Sequence, residues 1–154
     1  MVADGAPKVQ AKISQSDIDL AKTRPASGVE NIQNLPGPTG ESNILKTTAR
    51  GVVLCLGPAD AYESQQRIAA ENGAIAVLGD CDAKLLATLR GFDGVAYWGD
   101  ADTKRKLRKA LAGRAGPIIP LITTAYALQN LVREQHICID TTAAGGNAAL
   151  LAGE

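Results

Sequence analysis

Aromatic residues are nearly absent from this chain: one Phe, one Trp and three Tyr in 154 residues. That scarcity excludes a base-stacking platform, in which successive bases each rest on a ring. The core has to be built from Ala, Val, Leu and Ile. Net charge is absent too, with Lys plus Arg at 16 and Asp plus Glu at 16, so no whole-molecule field attracts nucleic acid or an anionic membrane. There is a single histidine, and the three cysteines contain no Cys-x-x-Cys pair. A zinc ribbon and a disulfide scaffold are thereby excluded. No apolar run reaches the roughly 18 residues of a membrane span, and Met1 opens no leader pattern. These absences describe a soluble, cytoplasmic chain with no transmembrane segment and no nucleic-acid partner. Its length suits one domain, or one domain with a long arm, able to hide roughly two-thirds of its unfolded surface.

Residues 1–34 carry few apolar side chains, among them Val9, Ile13, Ile18, Leu20, Val29 and Ile32. They read as an extended arm or linker with one short helical turn, capped from Ser14-Gln-Ser-Asp17. Pro36, Gly37, Pro38 and Gly40 then stop any regular element and make an ordered turn. From Gly51 the pattern changes. Gly51-Val-Val-Leu-Cys-Leu-Gly57 is an uninterrupted apolar run, as suits a strand buried on both faces. A helix is expected over Ala59 to Asn72, ended by Gly73. Ala74 to Leu78 reads as a second strand, Asp80 as the cap of a helix carrying Leu85, Leu86 and Leu89, and Gly94 to Trp98 as a third strand. Asp100 or Asp102 caps a helix carrying Leu107 and Leu111. Gly116 to Ile122, with its prolines, suits an edge strand. A helix with Leu128, Leu131 and Val132 and a fifth strand from His136 to Asp140 close the series. Strands alternating with helices in this way specify a doubly wound, mostly parallel α/β sheet of Rossmann type with about five strands.

Each chemical motif has a stronger plain reading. A dinucleotide turn needs Gly-x-Gly-x-x-Gly, whereas Gly57-Pro-Ala-Asp-Ala-Tyr62 holds one glycine and puts Asp60 where a pyrophosphate would sit. Gly37-Pro-Thr-Gly-Glu-Ser42 has Glu41 in place of the phosphate-loop lysine and no preceding strand. Cys55 lies in an apolar strand and Cys81 sits between Asp80 and Asp82, so neither favours a thiolate; Cys138 falls in the last strand. His136 alone supports neither a metal centre nor a Ser-His-Asp triad. No catalytic, cofactor-binding or metal-ligating residue is therefore assigned. The basic run Lys104-Arg-Lys-Leu-Arg-Lys109 reads as the solvated face of a helix, with a docking surface as the alternative. The small-residue tail Thr141-Thr-Ala-Ala-Gly-Gly-Asn147 forms a tight ribbon that seeks a partner edge.

At that tail a resemblance emerges. Ile139-Asp-Thr-Thr-Ala-Ala-Gly-Gly-Asn-Ala-Ala-Leu150 resembles the C-terminal motif of the long proline utilization A proteins, bifunctional flavoenzymes of proline catabolism. Leu35-Pro-Gly-Pro-Thr-Gly-Glu41, Arg50-Gly-Val-Val-Leu-Cys-Leu56 and Phe92-Asp-Gly-Val-Ala-Tyr-Trp-Gly-Asp100 are similar to family segments in the same order. Asp140, Thr142 and Ala149 depart from the family's usual Asn, Ala and Ser, and Leu151-Ala-Gly-Glu154 replaces its usual ending.

The resemblance implies a segment of a longer polypeptide that converts proline to glutamate. Such a parent pairs an FAD-dependent proline dehydrogenase with an NAD-dependent L-glutamate γ-semialdehyde dehydrogenase. In that setting residues 35–139 are a Rossmann-like, non-catalytic domain of aldehyde dehydrogenase ancestry that holds no cofactor itself. It packs on the aldehyde dehydrogenase domain of the same polypeptide and assists assembly of that site. Residues 140–154 are a β-ribbon flap. Within it Asp140, Thr141, Thr142, Ala143, Ala144, Gly145, Gly146, Asn147 and Ala148 help to seal the substrate-channelling tunnel. A stand-alone nucleotide-binding protein and a plain interaction module remain the alternatives.

Overall fold

The structure, a computed structural model, describes residues 11–25 and 30–140. The chain divides into two compact units. One holds helix α1 (Gln15–Lys22) and the stretch Ala49–Arg133; the other holds Glu30–Thr48 and, among the described residues, 134–140.

The first unit is built on a parallel sheet of β3 (Val52–Cys55), β4 (Ile75–Leu78), β5 (Gly94–Ala96) and β6 (Leu121–Ile122). Its order is β4-β3-β5-β6, so β3 is central and the two-residue β6, preceded by Pro117 and Pro120, is an edge. All three pairings are parallel. Helices α2 (Tyr62–Glu71), α3 (Ala83–Thr88) and α4 (Ala101–Ala112) make the crossovers.

Alternation along β3 creates two cores. Val52, Leu54 and Leu56 point to one side and pack with Leu86, Leu107 and Leu111 from α3 and α4; Val53 and Cys55 point to the other and pack with Ile68 and Ala69 from α2. All four residues of β3 are 2% exposed or less. The expected α/β class with helices on both faces is what the chain adopts.

Four boundaries differ from the sequence expectation. Within residues 1–34, the chain from Ala11 to Lys22 belongs to the domain. Ile13, Ile18 and Ala21 are buried in the same core as Leu54 and Leu86. The segment before α1 pairs with the end of β4: Ile13 N donates to Asp80 O and Asp80 N donates to Ala11 O, each at 3.0 Å. Gly79 permits this approach, because a Cβ there would stand 2.7 Å from the Ala11 carbonyl oxygen. The Ser14–Asp17 capping box forms as expected, with the Asp17 carboxylate accepting from Ser14 N at 2.8 Å. Asp82, rather than Asp80, caps α3, its Oδ1 accepting from Leu85 N at 2.8 Å. Residues Leu128–Leu131 make a single 3₁₀ turn where a helix was expected, and the chain then leaves as β7 (Val132–Asp140).

The expected fifth parallel strand thus joins another sheet. In the second unit β2 (Glu41–Ala49) lies between β1 (Glu30–Leu35) and β7. β1 and β2 are antiparallel around the turn Pro36–Gly40, with Leu35 opposite Asn43 and Glu30 opposite Thr48. Strand β1 lies across the end of the stretch, residues 1–34, expected to be an arm. By itself Glu30-Asn-Ile-Gln-Asn-Leu35 is too polar to read as a strand. Among the described residues of this unit none is buried, and Ile32 and Ile139 are 60% and 51% exposed.

Candidate functional site

In an open parallel sheet the ligand crevice lies beyond the carboxyl ends of the strands, where the order reverses. Here β3 runs to β4 on one side and has β5 on the other, so that point is Gly57, just past β3. Its surroundings are filled from within. The Gln65 side chain, 2% exposed, returns from α2 to meet Gly57: Gly57 N donates to Gln65 Oε1 at 3.0 Å and Gln65 Nε2 donates to Gly57 O at 2.9 Å. The same carbonyl accepts from Trp98 N, past β5, at 2.9 Å. Gly57 adopts φ +82, a left-handed conformation that favours glycine. A Cβ there would stand 3.1 Å from the Tyr62 ring and 3.2 Å from Ala59 N. The amide that a pyrophosphate would use in a dinucleotide turn is thus already spent on Gln65. Asp60 lies in the following 3₁₀ turn, where a carboxylate opposes an anion. Gln65 is not legible as a site residue in the sequence, since a lone glutamine on a helix carries no signal of its own.

The cysteines are poorly disposed to act as nucleophiles. Burial pushes the Cys55 thiol up to about 12. Burial, followed by the charges of Asp82 and Asp80, pushes Cys81 up to about 12 as well. Cys138 is exposed, but its Sγ lies 3.1 Å from Glu41 Oε1, and that hydrogen bond is the main reason its thiol is raised. The same bond, then one from Asn43, holds the Glu41 carboxyl below its ordinary range. His136 is exposed on β7, and no group of three or more His, Cys, Asp or Glu side chains is disposed to hold a metal among the described residues.

On α4, Arg105, Lys106, Arg108 and Lys109 are exposed while Leu107 and Leu111 are buried, which is the outer face expected of the basic run. The helix is capped by Asp100, whose Oδ1 accepts from Thr103 N and whose Oδ2 accepts from the Tyr97 hydroxyl, each at 2.8 Å. Among the described residues no helix is long and apolar enough to cross a membrane. Of the expected flap residues, Asp140 is the exposed last residue of β7; Thr141, Thr142, Ala143, Ala144, Gly145, Gly146, Asn147 and Ala148 lie outside the described residues.

No protein-family model matches the chain. Among curated proteins it is similar to the bifunctional protein PutA of Rhizobium meliloti, with 28% identity over 183 aligned residues that cover 99% of this chain and 15% of that protein. It is also similar to the bifunctional protein PutA of Escherichia coli strain K12, with 31% identity over 171 aligned residues, 94% of this chain and 12% of that protein. Among solved structures, a mutant of Bradyrhizobium japonicum proline utilization A aligns with 26% identity and a TM-score of 0.49, over 60% of this chain and 13% of that one. A bifunctional proline utilization A protein aligns with 23% identity and a TM-score of 0.49, over 70% and 14% of the two chains. The chain spans less than a sixth of the length of the curated relatives named here. Along nearly its whole length it is therefore related to one segment of the bifunctional PutA proteins.

Proposed function

We propose that this chain is a non-catalytic Rossmann-like domain of a longer, bifunctional proline-catabolic polypeptide of the PutA kind. The parent reaction is the oxidation of proline to glutamate, with FAD serving the proline dehydrogenase and NAD the L-glutamate γ-semialdehyde dehydrogenase. The domain supports assembly of the second site and closes the passage of the reactive intermediate. It holds neither cofactor itself.

The observation that carries this reading is the Gln65–Gly57 pair at the sheet's switch point. A cofactor site on this fold needs a free backbone amide and open space at that turn, and a buried side chain takes both. The raised thiols of Cys55 and Cys81 agree with a domain that does no acyl chemistry. The three-stranded sheet, with no buried residue of its own among those described, suits a surface completed by the dehydrogenase domain of the same polypeptide. The ribbon from Asp140 through Ala148 serves as the flap, its small side chains fitting close backbone packing.

Two measurements test this. Calorimetric titration of the chain with NAD should show no saturable heat; micromolar binding overturns the non-catalytic reading. Deleting residues 141–154 from the longer polypeptide should produce a lag in coupled product formation while proline oxidation with an artificial electron acceptor is spared. An intact coupled time course would rule out a sealing role for the tail.

A further inference from the structure

The opposite end of the parallel sheet carries a feature that the proposed role leaves unused. A concavity of about 590 Å³ lies at the amino ends of β3, β5 and β6. Five cationic side chains line it, Lys22, Arg50, Arg90, Arg114 and Arg133, against one carboxylate, Asp93. They come from five separate places in the chain. No local run announces them, and each has an individual structural reason to be there.

Those reasons do not neutralise the charge. Asp93 is committed to an ion pair with Arg133, and its Oδ2 accepts from Val52 N at 3.3 Å. The other cations have no salt bridge among the described residues. Arg50 donates to the carbonyl oxygens of Asn130 and Asp93. Arg90 Nη1 donates to the carbonyl oxygens of Ala87 and Leu89, at 2.8 and 3.0 Å. Arg114 Nη1 donates to Leu86 O at 2.7 Å, and its guanidinium stacks 4.7 Å above the Phe92 ring. A carbonyl is a neutral dipole; it satisfies a donor and leaves the charge in place. Arg114 Nε is buried with no acceptor among the described residues. The Lys22 amine lies 3.2 Å from where a Cβ on Gly91 would stand, so the missing side chain at Gly91 makes room for it.

The cations also disfavour one another. Burial and then the charge of Arg133 push Arg50 below its ordinary value, against the opposing charge of Asp93, and burial and then Arg90 lower Arg114. An anion placed among them offsets the repulsion between the cations. Guanidinium groups bind oxyanions through paired N–H donors. The concavity's volume is within the roughly 300–1,000 Å³ of small-molecule sites.

We propose that this amino-end pocket binds a small, multiply charged oxyanion, a phosphate or polycarboxylate compound, at a site separate from the switch-point crevice. The inference does not depend on the role in proline catabolism.

The test uses the whole 154-residue chain with inorganic pyrophosphate and with citrate as probes, at constant ionic strength set with chloride. Amide shifts should saturate and cluster at residues 90–93 and 114–119. Lys22→Gln and Arg90→Gln, both at exposed positions, should each weaken binding by roughly fivefold to tenfold, as loss of one hydrogen-bonded contact does. Arg105→Gln on the outer face of α4 should leave it unchanged. Three results would overturn the proposal: shifts that never saturate and follow every basic residue, affinity indifferent to Lys22→Gln and Arg90→Gln, or an equal effect from chloride alone. A polyglutamate peptide that saturates the same amides more tightly than either probe would also overturn it, by making the surface a polypeptide contact.

Discussion

Gln65 and Gly57 hold each other through two hydrogen bonds, the glutamine amide from α2 pairing with the backbone of the turn that follows the central strand. The contact mimics a peptide unit: one donor and one acceptor on each side. In a dinucleotide-binding domain that turn is left open to a phosphate; here a side chain of the protein takes its place.

Gln65→Ala should therefore act on stability. Gly57 O keeps its bond from Trp98 N, but Gly57 N is left buried without an acceptor. An orphaned buried donor costs about 1–3 kcal/mol, readable in urea denaturation. The variant should still bind no NAD, since Asp60 remains in the turn. A variant as stable as the parent chain would show that water reaches the turn.

Helix α1 should behave as part of the core. Ile18 is 0% exposed, so Ile18→Ala should cost about 2–5 kcal/mol, the usual range for such a truncation in a packed interior. The amides of Ala21 and Lys22 should be protected from hydrogen exchange to the level of Val53 and Leu54. Exchange at the rate of an unstructured peptide would show α1 detached.

Thiol labelling should discriminate sharply. At about pH 8 the buried Cys55 and Cys81 should resist an aromatic disulfide reagent until the chain unfolds, whereas exposed Cys138 should react first. The Glu41 carboxylate holds the Cys138 proton in place. Glu41→Gln removes that charge, lowers the thiol toward its ordinary value and should speed labelling several-fold. No change in rate would show that the Cys138–Glu41 contact does not persist in solution.

The helix caps set an acid limit. Asp100 is held well below the ordinary carboxylate range, chiefly by the Thr103 backbone N–H and then by the Tyr97 hydroxyl. A carboxyl depressed in the folded state contributes stability that is complete above its unfolded value, about 3.9, and is lost as pH falls through its folded value. Asp100→Asn keeps a capping side chain but not the charge. The parent chain should be the more stable of the two at neutral pH, and the difference should close as the pH is lowered below about 4. A difference independent of pH would place the cap's value in its shape alone.

Much of the parallel sheet is legible in the sequence by itself. The apolar run around Val52–Cys55, the stop at Gly73 and the caps at Ser14 and Asp100 are local signals, in which each residue's preference is expressed within a turn or a strand length. Strand order and membership depend on contacts between distant segments. Ile13 and Ile18 look too sparse to anchor an arm, yet the groove over β3 and β4 buries both. Leu128, Leu131 and Val132 share a helical spacing, yet Val132 begins β7, a strand whose neighbour in the sheet, β2, is distant in sequence. The Gln65–Gly57 pair spans eight residues, and the cationic pocket gathers side chains from positions 22 to 133. Neither leaves a periodic trace, because periodicity records which face of an element is buried. What a side chain meets on that face is decided only when the layers close.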